Sequence, residues 1–187
     1  MAKLKYESFS KEQLLEKIKQ LEKVRYGLVW EDKLEDVAEQ CEQMLPVLHE
    51  DTSMEISFNK EKPTNILIEG DNYHALYTLN FTHRRKVDVI YIDPPYNTGN
   101  KDFKYNDRFV DSEDSFKHSK WLSFMNKRLK LAKNLLKDSG VIFISIDDNE
   151  VAKLRMICDR VFNENNFIAT IIWEKKFSPQ NDAKWFS

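Results

Sequence analysis

The sequence predicts an α/β protein: a parallel sheet of alternating strands and helices, preceded by a helical N-terminal extension. Two observations carry that prediction. From Asn65 onward, short β-branched and aliphatic runs alternate with segments whose apolar residues recur every three or four positions, the pattern of strands buried between helices. Before Asn65 the chain is polar and helical in character. The expected division is therefore a helical arm and linker over residues 1–64 and a sheet-forming part over residues 65–187.

Each element has its own signal. In the arm, Ser10 followed by Gln13 fits a capping box, and Leu14, Leu15, Ile18, Leu21, Val24 and Leu28 recur at helical spacing. A second helix is expected from about Leu34 to Leu45, stopped by Pro46. Residues 49–64 are polar and acidic and read as a linker. The apolar stripe of the arm must be covered either by the core of the same chain or by a partner. Strands are expected at 66–69, 87–92, 141–146 and 168–173, the third entered through Asp138-Ser139-Gly140. Helices are expected at 71–79, 119–136 and 149–162. The stripes Trp121, Leu122, Met125, Leu129, Ala132, Leu136 and Val151, Leu154, Ile157, Val161 are read as faces packed on a sheet. Residues 97–117 have no clear period, are rich in Asp, Asn, Lys and aromatics, and are expected to form a mobile flap.

Composition narrows the class. Hydrophobic residues at 41% with charged residues at 32% fit a soluble globular protein, and no apolar run approaches the roughly 20 residues of a membrane span. The start, Met1-Ala2-Lys3-Leu4-Lys5, lacks the apolar core of a secretory signal, so a cytoplasmic location is expected. Cys41 and Cys158 lie far apart in helical patterns and are read as buried thiols. His49, His74, His83 and His118 show no ligand spacing with them, so no metal is expected. A formal charge of −2 is low for a nucleic-acid binder. Any such contact would fall to local clusters: Arg84-Arg85-Lys86, Lys127-Arg128-Lys130-Lys133 or Lys175-Lys176.

The most informative residues are Asp93-Pro94-Pro95-Tyr96, directly after the run Val87-Asp88-Val89-Ile90-Tyr91-Ile92. A carboxylate, two rigid prolines and an aromatic ring thus stand at a strand's carboxyl end, where open α/β sheets bind ligands. These are groups suited to chemistry on a planar amine. Taken alone, Pro-Pro could be a stop signal and Tyr96 a packing residue. Asp71 opens a helix after a strand, where it can accept hydrogen bonds from a nucleoside or act as a helix cap. His118 and Trp121 are placed to line the same cleft. Asp147-Asp148-Asn149 is read as the cap of the following helix.

The stretch from Val87 to Asn100 containing Asp93-Pro94-Pro95-Tyr96 resembles the catalytic motif of S-adenosylmethionine-dependent DNA amino-methyltransferases, in particular the β-class adenine-N6 enzymes and the modification subunits of type III restriction–modification systems. Asn65-Ile66-Leu67-Ile68-Glu69-Gly70-Asp71-Asn72, His118-Ser119-Lys120-Trp121-Leu122-Ser123-Phe124-Met125 and Gly140-Val141-Ile142-Phe143-Ile144-Ser145-Ile146-Asp147-Asp148 share the likeness. The resemblance implies a partial Rossmann-like methyltransferase fold. It implies Asp93, Pro94, Pro95 and Tyr96 as catalytic residues, and Asp71 and Asp93 as contacts to S-adenosylmethionine. Double-stranded DNA would be the substrate, and a homodimer with a restriction subunit the assembly. Asp at the first motif position favours a nucleic-acid amine over protein glutamine, for which family relatives carry Asn.

The chemistry gives these residues reasons. An exocyclic base amine is a poor nucleophile because its lone pair is delocalised into the ring. Two acceptors aimed at its hydrogens, the Asp93 carboxylate and the Pro94 carbonyl, favour the rehybridised form in which positive charge develops. Successive prolines hold that carbonyl rigidly, and Tyr96 offers a ring for an extruded base. The glycine-rich Phe-x-Gly-x-Gly loop that such families use for the cofactor has no counterpart among Gly27, Gly70, Gly99 and Gly140. The expectation is an N-terminal part of a longer enzyme, inactive alone. Cytosine-N4 methylation, a split enzyme completed by a second polypeptide, and a non-enzymatic dimerisation or partner-binding module are the alternatives.

Overall fold

The computed structural model describes residues 9–23, 27–56 and 64–173. Its organising unit is a parallel strand pair, β1 (Val87–Ile92) and β4 (Leu136–Ile144), covered on one face by α4 (Lys117–Leu135) and α5 (Val151–Phe162). Parallel neighbours need a crossover, and here the connection contains a small hairpin and the long helix α4. The protein is therefore α/β, as expected.

Side-chain alternation explains which face is covered. In the register Tyr91↔Phe143 and Ile92↔Ile144, even-numbered residues share one face and odd-numbered residues the other. Ile92, Ile142 and Ile144 pack against a core of Trp121, Leu122, Met125, Leu129, Leu154 and Ile157. Val89, Tyr91 and Phe143 on the opposite face are exposed. The helices behave as their stripes require, with Trp121 and Ile157 fully buried. Truncating a residue such as Leu129 to Ala costs about 2–5 kcal/mol in such surroundings.

The entry to β4 is irregular. Val87 pairs with Leu136 but Val89 with Val141, so residues 137–140 bulge out and the continuous ladder begins at Val141, where the sequence places it. A Cβ on Gly140 would lie 3.0 Å from the Val87 carbonyl oxygen, so the bulge closes tightly on β1.

Two expected strands are absent. Residues 64–69 and 167–173 carry no regular hydrogen bonding, and Leu67, Ile168, Ile172 and Trp173 are exposed. A strand exists only by pairing, so apolar β-branched runs without a neighbour remain extended segments. The expected flap is also corrected. Residues 97–117 contain an antiparallel hairpin, β2 (Lys104–Tyr105) with β3 (Arg108–Phe109), turned through Asn106 and Asp107 at φ +48 and +60, the left-handed pair of a tight two-residue turn. Phe103, Tyr105 and Val110 are buried in the main core and tie the segment down.

The N-terminal elements are α1 (Lys11–Lys23), α2 (Asp36–Gln43) and, after a gap in the described residues at 57–63, α3 (Asn72–Thr82). The capping box forms: Gln13 N donates to Ser10 Oγ at 3.2 Å and Ser10 N to Gln13 Oε1 at 2.8 Å. Leu15 and Ile18 of α1 are exposed, whereas Val24 and the clusters beyond Trp173 lie outside the described residues. The stretch before α2 is clamped onto α4. Ser123 Oγ accepts from Trp30 Nε1 and Lys33 N, and the Lys33 carbonyl accepts from Lys127 Nζ and the Tyr105 hydroxyl. Arg128 closes the clamp, donating to Glu35 Oε1 at 2.7 Å and to Asn72 Oδ1 at 2.5 Å, with its guanidinium 3.6 Å from the Phe124 ring centre.

Candidate active site at the carboxyl end of strand β1

Asp93, Pro94, Pro95 and Tyr96 follow β1 without an intervening residue. The ladder runs to its end, since Ser145 N donates to the Ile92 carbonyl at 3.0 Å, and so the first motif residue leaves the sheet at a fixed point. Asp93 is exposed, and Pro94, Pro95 and Tyr96 are half-buried. The Tyr96 hydroxyl donates to Asp93 Oδ1 at 2.8 Å. That hydrogen bond holds the Tyr96 phenol above its ordinary ionisation range, because the phenolate would face a carboxylate. Trp121 Nε1 donates to the Pro95 carbonyl at 2.7 Å. Trp121 is thus at once a core residue and the strut beneath the Pro-Pro step.

One residue further on, Asn97 is 2% exposed and adopts φ +59, a left-handed conformation that Asn tolerates better than most residues. Its Nδ2 donates to Glu150 Oε1 at 2.6 Å. His118 Nδ1 lies 2.5 Å from the same oxygen. Glu150 is 0% exposed, and the Lys153 ammonium stands 3.2 Å from its other oxygen, an ion pair without hydrogen-bond alignment. The sequence reading placed His118 near the cleft but passed over Asn97 and Glu150. No short motif marks Glu150. The one local signal was Asn97, a residue type suited to a left-handed turn after the prolines.

Asp147, with Asp148 and Asn149, was expected to cap α5. Asp147 does organise the approach, accepting from Asn149 N at 3.0 Å and from Asn149 Nδ2 at 2.7 Å. The capping position itself belongs to Glu150, whose side chain makes no cap and turns inward.

Asp71 stands elsewhere. It caps α3, its Oδ1 accepting from Tyr73 N at 2.7 Å, and it lies 3.9 Å from Arg128 Nη2. Arg128 and Trp121 are two turns apart on α4, roughly 10 Å along its axis. The structure therefore brings Asp93 to Tyr96 together with Trp121, Asn97, His118 and Glu150, and sets Asp71 at a second location. There Glu69, Gly70, Asp71, His74 and Thr78 border an open cleft of ≈ 380 Å³ with Cys41 on its wall.

A strand-end carboxylate and aromatic ring, carried on a parallel α/β unit, belong to the class of protein that binds ligands at the carboxyl ends of its strands. Comparison with known proteins names the class. A family described as DNA methylase matches residues 87–187, more than half of the chain, and the chain belongs to that family. It is similar to the type III restriction-modification enzyme StyLTI Mod subunit of Salmonella typhimurium, 41% identical over 140 residues, covering 64% of this chain and 22% of that protein. It is also similar to the EcoPI Mod subunit of Escherichia phage P1, 37% identical over 193 residues, covering 88% of this chain and 30% of that protein. The type II methyltransferase M.KpnI of Klebsiella pneumoniae is 47% identical over 104 residues, covering 55% of this chain and 25% of that protein. The chain thus spans less than a third of the length of these relatives.

Family membership makes S-adenosylmethionine the cofactor, within a Rossmann-like architecture to which the β1–β4 pair and its covering helices conform. The donor set fits the polar part of that molecule. Glu69 and Asp71 offer carboxylate oxygens beside Gly70 at φ +144, acceptors suited to ribose hydroxyls or an ammonium. The cleft's volume lies in the range of small-ligand sites.

Proposed function

We propose that this chain carries the catalytic segment of a site-specific DNA methyltransferase of the β class, acting on adenine N6 of a base turned out of the duplex. The observation that carries the reading is the Asp93–Tyr96 segment, leaving β1 at a fixed point with its Pro95 carbonyl strutted by Trp121. When bound, S-adenosylmethionine supplies an electrophilic methyl on a sulfonium. The rest is done by the chain. Asp93 and the Pro94 carbonyl accept the two amine hydrogens, drawing the nitrogen lone pair out of conjugation. The Tyr96 ring stacks on the extruded base, worth roughly 1–3 kcal/mol. Its hydroxyl, bonded to Asp93 in this structure, gives up that carboxylate oxygen to the N–H of the incoming amine. After transfer the nitrogen loses its proton to water or through Asp93. Asp71 and Asp93 contact the cofactor, Asp71 with the oxygen not committed to Tyr73 N.

The relatives' names, Mod subunits of type III restriction-modification enzymes, support a restriction subunit as partner and double-stranded DNA as substrate; cytoplasmic action is part of the same proposal. The exposed Leu15 and Ile18 of α1 support a second copy as the partner of the arm. No described helix is long and apolar enough to cross a membrane.

The test is transfer of labelled methyl to undermethylated DNA, followed by digestion to nucleosides. The chain is assayed alone and with a polypeptide supplying the glycine-rich segment. N6-methyladenine from the mixture, none from the chain alone and none with Asp93→Ala is the expected result. N4-methylcytosine alone would transfer the proposal to the cytosine enzymes. Full turnover by Asp93→Ala would remove the mechanism.

A further inference from the structure

Beyond the four motif residues, we propose that Glu150 is a positioning residue which, by gripping the Asn97 side chain together with His118, sets the geometry of the Asp93–Tyr96 segment. The proposal rests on the reading of that segment as catalytic.

A backbone containing Pro94 and Pro95 has lost two amide donors and cannot be held by a ladder. Its geometry must come from its ends and from side chains. The upstream end is fixed by β1, and the middle by Trp121 on the Pro95 carbonyl. The downstream end is Asn97, whose amide reaches Glu150 Oε1 at 2.6 Å and the Lys117 carbonyl at 3.4 Å. Those partners come from the start of α5 and the start of α4. The segment is thereby tied to both helices that cover the sheet.

Burying a carboxylate completely is expensive, and an apolar residue of similar volume would serve stability as well or better. Glu150 is nonetheless 0% exposed and supplied with three polar neighbours: Asn97, His118 and Lys153. Asn97 Nδ2 and His118 Nδ1 converge on the one oxygen Oε1, so two side chains hold the same carboxylate atom. The first turn of α5 adds a favourable dipole. Glu150 gives up the capping role its position would allow, and its side chain is spent on Asn97. The left-handed φ at Asn97 then turns the chain from Tyr96 into the hairpin segment. Loss of the grip frees that turn, and with it the Tyr96 hydroxyl's approach to Asp93.

The experiment uses the 187-residue chain itself and reads two groups in the segment by nuclear magnetic resonance. One is the Tyr96 ring carbon, followed through phenol ionisation and assigned with Tyr96→Phe. The other is the Trp121 indole N–H, which reports the Pro95 contact. In the parent, Tyr96 ionises above the ordinary tyrosine value of 10.0. Glu150→Ala and Asn97→Gly should lower it toward that value and shift the indole resonance. Asn97→Gly keeps the left-handed backbone, so it removes the grip without straining the turn. Glu150→Gln retains an Oε1 acceptor and should restore the parent behaviour, which a simple loss of core stability would not predict. If Glu150→Ala does not fold, Asn97→Gly decides alone. A folded Asn97→Gly or Glu150→Ala with unchanged Tyr96 ionisation and indole resonance overturns the proposal, as does a Glu150→Gln that behaves like Glu150→Ala. None of these readings involves methyl transfer. A chain that never methylates DNA yet passes them refutes the function and leaves the anchor standing.

Discussion

At the scale of single residues, the most consequential contact is the one between Tyr96 and Asp93. The hydroxyl donates to Asp93 Oδ1, while the ring is the part proposed to hold a base. Tyr96→Phe and Tyr96→Ala therefore separate the two roles. In the completed enzyme, Tyr96→Phe should keep most of its methylation rate and Tyr96→Ala should lose about 5–160-fold in kcat/KM, the worth of a stacking contact of about 1–3 kcal/mol; steady-state kinetics on one DNA substrate measure both. Gly99 is a second sensitive point. It sits at φ +86, and a Cβ there would lie 2.6 Å from Ser112 Cβ. Gly99→Ala combines backbone strain with a clash and should destabilise the chain by about 1–3 kcal/mol, read as a lowered urea midpoint. Burial pushes the Cys158 thiol up to about 12 and raises Cys41 as well, with Asp71 adding to the effect. Both thiols should therefore resist alkylation at neutral pH and react promptly once urea unfolds the chain. Equal native and unfolded labelling rates would contradict their placement.

At the scale of elements, α4 does most of the organising. One face supplies Trp121, Met125 and Leu129 to the core, and the same helix sends Trp121 to the Pro95 carbonyl and Arg128 to Glu35. Its start is held by Asp114, whose Oδ1 accepts from Phe116 N at 2.8 Å and whose other oxygen meets Lys120. The Lys120 hydrogen bond, ahead of the Phe116 amide, holds the Asp114 carboxyl below its ordinary 3.8. A lowered folded value means that the unfolded chain takes up the proton first. The contribution is therefore present above 3.8 and is lost as pH falls through the lower folded value. Asp114→Asn should flatten this part of the acid limb of the urea midpoint, leaving little difference from the parent at the acid end. A parent–variant gap that does not shrink on acidification would oppose this account. The hairpin is the element that sequence reading missed. Asn106-Asp107 between two short aromatic-bearing runs is a two-residue turn signal, but four paired residues are too few to show a period.

At the scale of the whole molecule, the sheet is covered on one side only among the described residues. Val89, Tyr91 and Phe143 form an uncovered apolar face, and Ile66, Leu67, Ile168, Ile171, Ile172 and Trp173 in the unpaired runs are exposed as well. Such surface is a recognised association hazard. The purified chain should therefore associate with rising concentration in light scattering and bind a hydrophobic dye; a monodisperse monomer with no dye signal would mean that the face is covered.

The sequence by itself determined β1, α3, α4, α5, the capping box and the place of Asp93 to Tyr96 at a strand end, because each rests on a local period, a cap or a short motif. It left Asp71 open between cap and ligand contact. Tertiary structure decided that Asp71, besides capping α3, stands beside Arg128, that two strand-like runs stay unpaired, and that residues 97–117 are pinned by Phe103 and Tyr105. It also decided that Glu150 grips Asn97 from 53 residues away. Pairing, burial and a buried carboxylate's choice of partner depend on what lies across the fold, and no window along the chain contains that.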